Sequence, residues 1–195
     1  REEAGSPNVV GAVALDAAIG ALGQIGWEAR RAHDDDVGQA LREGLAAVPG
    51  LRLLGPGLST PTLPLATFVV EGMPHALVAA RLSAEFGVGV RHGCFCAHPY
   101  LLRLLGLSSA EVRSYKEAVL AGDRTEIPGA VRASAGISTS LADVDRLIAA
   151  VAAIVATAPP VPYEQDPRTG DFWPVTEVEG WTVADRGPGA SCARG

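Results

Sequence analysis

Cys94 and Cys96 stand one residue apart in the stretch V-G-V-R-H-G-C-F-C-A-H-P, residues 88–99, and they are the side chains best suited to covalent chemistry. A short β-branched run (Val88, Val90) ends at Arg91 and breaks at Gly93 into a loop carrying both thiols. Pro99 then opens a helical segment over 100–107, since a fixed φ and a missing N–H suit the first helical turn. A strand that runs into a loop and a helix start sets a thiol beside free backbone donors and a guanidinium. Those conditions lower a thiol pKa and make it a nucleophile. The plainer alternative on this segment alone is a pair of half-buried cysteines packing as small hydrophobes. His92 and His98 read as solvated loop histidines and receive no role.

The elements that must position this loop belong to a chain of 195 residues, 48% apolar and 19% charged, which is enough for one sizeable core and a tail. The net charge is −6 and no Lys/Arg block occurs, so nucleic acid and an anionic membrane are poor partners. Three cysteines, two of them a single residue apart, do not make a disulfide framework, and a reducing cytoplasm is the expected compartment. The abrupt start at Arg1, with no signal peptide ahead of the first helix, suggests a fragment.

A lead-in loop and an apolar helix occupy residues 1–31. The run 9–27 is apolar nearly all round, which normally means burial between other elements, while Asp16 and its glycines argue against a membrane span. Asp34, Asp35 and Asp36 are expected to charge the start of a helix over 37–48, with Val37, Leu41, Leu45 and Val48 on one stripe. Strands are expected near 51–54, 65–71, 88–92 and 130–134. Helices fall between them, one from Pro74 to a Gly87 cap and one over 108–121, and Ser140 with Asp143 has capping-box spacing before a closing helix. The pattern is α/β: a mixed sheet covered by helices, a small domain over 32–158. Some neighbouring strands must be antiparallel, because the 54–65 connection is too short for a helical crossover. Residues 159–195 turn rich in Pro, Gly, Asp and Glu and read as an irregular tail, pinned at points by Trp173 and Trp181.

Four motifs in order, A-G-S-P-N, P-G-L-R-L-L-G-P, F-G-V-G-V-R-H-G-C-F-C-A-H-P and V-R-A-S-A-G-I-S-T-S-L-A-D-V-D-R-L, give residues 2–156 a resemblance to a known family. The chain resembles the C-terminal small domain of class V aminotransferase-fold proteins, pyridoxal-phosphate enzymes of fold type I, nearest to the cysteine desulfurase and selenocysteine lyase branch. That branch usually carries G-H-H-C where this loop has Gly93-Cys94-Phe95-Cys96.

The resemblance implies roles. Cys96 falls at the thiol that attacks the substrate sulfur, and Arg132 at the arginine that clamps the substrate carboxylate, a task suited to its bidentate fork. Ser6 falls where a hydroxyl reaches the cofactor phosphate of a neighbouring subunit, which implies a homodimer and an amino-acid substrate. The simpler readings are a surface ion pair for Arg132 and a helix cap for Ser6. The family's cofactor lysine lies in a large domain ahead of this stretch, and the single lysine here, Lys116, sits on an amphipathic helix. Pyridoxal phosphate is therefore expected in the complete enzyme and not on this chain alone. The competing expectation is a non-catalytic dimerisation or structural module. No metal ligand set is read from the sequence.

Overall fold

The computed structural model describes residues 5–58, 60 and 62–175. Four strands form one sheet in the order β1(Leu51–Leu54), β2(Leu65–Val70), β4(Ala130–Ser134), β3(Arg91–Gly93), and every pairing is antiparallel. Since β2 and β3 are each antiparallel to β4, they run the same way, and helix α3(His75–Phe86) crosses between them as in a split β-α-β unit. The period-2 alternation of β2 buries Ala66, Phe68 and Val70, and their neighbours Val131 and Ala133 on β4 bury on the same face.

Helices α2(Trp27–Ala46), α3 and α6(Leu141–Ala156) cover that face with Val37, Leu41, Leu45, Val78, Leu82, Val144, Val151 and Ile154. At Gly44 of α2 a side chain would collide with Ile148, so glycine there sets how closely α2 and α6 approach. The box expected at the start of α6 is present: Ser140 Oγ accepts from the Asp143 N–H at 3.2 Å, and the Asp143 carboxylate accepts from the Ser140 N–H at 2.9 Å. A matching box of Ser108 and Glu111 opens α5(Ser109–Leu120).

Two expectations about the N-terminal third are corrected. The helix expected over 37–48 begins at Trp27, so the division at residue 31 falls inside α2 and Asp34–Asp36 lie along its length. Arg30 and Arg31 stand one turn ahead of Asp34 and Asp35, with N···O distances of 3.9 and 3.7 Å, and such i,i+4 pairs favour a continuous helix. The break comes earlier, at Gly26, whose φ of 82° a Cβ would oppose. There α1(Val9–Ile25) meets α2 at a bend of 83°. That bend carries α1 away from the core, and no residue of it is buried; Val10 is 82% exposed. Among the described residues no single helix is long and apolar enough to cross a membrane.

The tail is also more ordered than expected. Tyr163–Gln165 (β5) and Phe172–Pro174 (β6) form an antiparallel hairpin that lies against α3. Trp173 is exposed and does not anchor it, and Trp181 lies outside the described residues. Polar contacts hold the hairpin instead. Gln165 donates to the Thr125 carbonyl at 2.9 Å, and Arg124 N–H donates to the Pro167 carbonyl at 2.7 Å. Tyr163 donates its hydroxyl to Glu85 at 3.1 Å; burial and then the Glu85 charge push that phenol up to about 12, so it remains a donor.

Glu85 in turn pairs with Arg81, 1% exposed, through two bonds of 2.7 and 3.0 Å, while Arg81 also donates to the carbonyls of Ile154 and Thr157. One buried guanidinium thus satisfies the end of α6 and, through Glu85, the hairpin. Arg81→Met should leave Glu85 and two carbonyls without their donor and cost about 3–5 kcal/mol in urea unfolding. A double change with Glu85→Leu should recover part of that loss.

The hairpin also closes over a histidine pair. His75 Nε2 donates to the Ile127 carbonyl at 3.0 Å, and a carbonyl can only accept, so that nitrogen carries the proton. Neutral His75 then accepts at Nδ1 from His92 Nδ1 at 3.3 Å, and His92 Nε2 faces the Asp171 carboxylate at 3.6 Å. Burial, chiefly, lowers the His75 pKa below its ordinary value; the Ile127 bond and Asp171 oppose this and His92 adds to it. A base held below its unfolded pKa takes up fewer protons when folded, so stability rises with pH across that window. Urea midpoints should therefore fall as pH drops below about 6.5, and His75→Gln should flatten the dependence there.

Candidate functional site

Alternation along β4 that buries Val131 and Ala133 turns Arg132, between them, to the opposite face of the sheet. Its register partners are Thr67 on β2 and Arg91 on β3, and Arg91 is exposed. The Arg132 guanidinium carbon lies over the ring of Phe95, 5.1 Å from its centroid. Among the described residues, Arg132 Nε is buried and has no hydrogen-bond partner. A buried donor left unsatisfied costs about 1–3 kcal/mol, so this arginine is not the ordinary surface ion pair that the sequence also allowed.

Phe95 belongs to the turn that presents Cys96. β3 ends at Gly93, and the chain closes with Ala97 N–H donating to the Cys94 carbonyl at 2.9 Å. The two residues inside that turn, Phe95 and Cys96, have φ of 54° and 58°, a conformation of the I′ class that side chains with a Cβ disfavour by roughly 1–2 kcal/mol each. Strain of this kind gathers at functional positions. Helix α4(His98–Leu105) follows with Pro99 in its first turn, as expected, and its N-cap Ala97 offers no side-chain acceptor. Cys96 is exposed and Cys94 half-buried. Cys94 lines a cavity of about 620 Å³ with His75, His92, His98 and Asp171.

The structure therefore brings the Cys96 loop and Arg132 together through Phe95. Ser6 is exposed ahead of α1, where the cap is Asn8, whose Oδ1 accepts from the Gly11 N–H at 2.9 Å. The Ser6 hydroxyl has no hydrogen-bond partner among the described residues. Cys192 lies outside the described residues. Lys116, the only lysine of the sequence, is exposed on α5. Lys116 is not among the residues that line the cavity holding Cys94. Among the described residues no group of three or more His, Cys, Asp or Glu side chains could hold a metal ion.

Two features escaped the sequence reading. Phe95 carried a signal, an aromatic between two loop cysteines, but nothing local says that it meets Arg132. His92, expected as a solvated loop residue, lies on β3 and is partly buried, with His75 Nδ1 at 3.3 Å and the Asp171 carboxylate of the distant hairpin at 3.6 Å.

Residues 1–147 match the family described as Aminotransferase class-V. A probable cysteine desulfurase of Vibrio cholerae is 31% identical over 149 residues, which is 76% of this chain and 31% of that protein. One of Pseudomonas putida is 40% identical over 108 residues, 55% of this chain and 25% of that protein. Among solved structures, a cysteine desulfurase of Escherichia coli in its S-sulfonic acid form superposes with a TM-score of 0.57 at 28% identity, covering 76% of this chain and 31% of that one. The apo cysteine desulfurase of Thermococcus onnurineus gives 0.61 at 28% identity, covering 79% and 33%. The chain thus spans between a quarter and a third of the length of these relatives. Its helix-covered sheet is the architecture of the fold type I small domain, and with residues 1–147 matched, this chain belongs to the class V aminotransferase family.

Proposed function

We propose that this chain is the C-terminal, small-domain part of a pyridoxal-phosphate enzyme that acts on an amino acid, with carbon–sulfur lyase chemistry of the cysteine desulfurase type. The observation that carries the reading is Arg132, whose buried Nε lacks a partner while its guanidinium lies over the residue next to Cys96. A carboxylate is the natural ligand of such a fork. Arg132 clamps the substrate carboxylate in this reading, and the Cys96 thiolate attacks the substrate sulfur, forming a persulfide as the carbon–sulfur bond breaks and its electron pair stays with the carbon, which then takes up a proton. When bound, pyridoxal phosphate supplies the electron sink for amino-acid chemistry; its lysine comes from outside these 195 residues. Ser6, exposed before α1, is free to reach the cofactor phosphate of a second subunit, so the assembly is a homodimer. The exposed apolar flank of α1 suits burial against other protein. The setting proposed is the cytoplasm, with neither nucleic acid nor membrane as partner.

The second reading, a non-catalytic dimerisation or structural module, is favoured by one observation: the only lysine of the sequence, Lys116, is exposed on α5 and does not line the cavity that holds Cys94. Pyridoxal phosphate added to the 195-residue chain should leave no stoichiometric borohydride-stable adduct. An adduct mapped to Lys116 would show instead that this chain makes its own cofactor linkage.

The lyase reading is tested in the complete enzyme. Cys96→Ala should abolish sulfide release from cysteine and leave the cofactor absorbance intact. Full sulfide formation in that variant would refute Cys96 as the sulfur acceptor.

A further inference from the structure

A cation held over a ring is attracted through its charge, and that attraction uses none of its N–H donors. The Arg132 fork therefore remains available while Phe95 holds it, and Nε is a donor still without an acceptor. Phe95 holds this position with a φ of 54°, and Cys96 follows at 58°. The turn is tied at its ends by the bond between Ala97 N–H and the Cys94 carbonyl, 2.9 Å, and in its middle by the ring on Arg132. One side chain thus sets the direction of the guanidinium and pins the turn that carries the thiol.

We propose that Phe95 is a positioning residue, holding the Arg132 fork open toward the Cys96 thiol so that both engage one small molecule bearing a carboxylate close to its reacting atom. The inference rests on the reading of Arg132 as the carboxylate clamp and deepens it. It assigns Phe95 a part in selecting carboxylate-bearing reactants, which a ring that merely covered apolar surface would not have.

Thiol alkylation measures this on the 195-residue chain without cofactor. Iodoacetate and iodoacetamide each transfer a carbon to a thiolate and release iodide, but only the first bears a carboxylate. Their rates at Cys96, read by peptide mass spectrometry, give a ratio to compare with that of the urea-unfolded chain. Charge-assisted hydrogen bonds to a fixed fork should raise the folded ratio about tenfold. Arg132→Gln should return it to the unfolded value. Phe95→Gly, which suits the positive φ and so keeps the turn while deleting the ring, should lose most of the enhancement; Phe95→Tyr should keep it. A Phe95→Gly ratio equal to wild type, with Arg132→Gln still low, overturns the role of Phe95 and leaves the clamp standing. A wild-type ratio in Arg132→Gln overturns the clamp and this inference together, and points to the diffuse charge of exposed Arg91.

Discussion

Strand β4 has to satisfy two neighbours at once, and the register in which it does so governs the site. Phe68 pairs with Val131 and Ala66 with Ala133, which puts all four into the core, while on the other edge Arg91 and His92 pair with Arg132 and Val131. Because side chains alternate strictly along a strand, a slip of one residue would drive Arg132 into the core and expose its apolar neighbours. The burial of two alanine-sized and two larger side chains therefore fixes which face Arg132 takes. On that face it meets Phe95. On the other face the same period sends His92 toward His75, at the start of α3.

A sheet of four short strands needs its covering helices tied down at their ends, and one cation does much of this. Arg81, fully inside, joins the end of α6 to Glu85, and Glu85 accepts the Tyr163 hydroxyl from the hairpin. A guanidinium is suited to this because its planar donors reach carbonyls and a carboxylate together. The hairpin so anchored contributes Asp171 beside His92, one residue before Gly93 and the cysteine loop.

The N-terminal helix shows the opposite case. α1 is apolar and yet exposed, since the core is already filled by α2, α3 and α6 and the chain turns by 83° at Gly26. Apolar composition announces that a helix wants burial; it does not supply the surface that buries it.

Local rules account for what could be read from the sequence alone. The alternation of L-A-T-F-V-V, the capping box of Ser140 and Asp143, the Gly87 cap and Pro99 in the first turn of α4 each depend on a few neighbouring residues, and the structure has each of them. The ordered motifs around Cys96 and Arg132 carried the family in the same way. The start of α2 was misplaced because three aspartates resemble a helix N-terminus, whereas the Arg30–Asp34 and Arg31–Asp35 pairs favour a continuing helix. The order of strands, the meeting of Arg132 with Phe95, and the His75–His92–Asp171 chain could be decided only in three dimensions. Those contacts join residues separated by 17 to 79 positions, and only chain closure around a shared core brings such partners within reach.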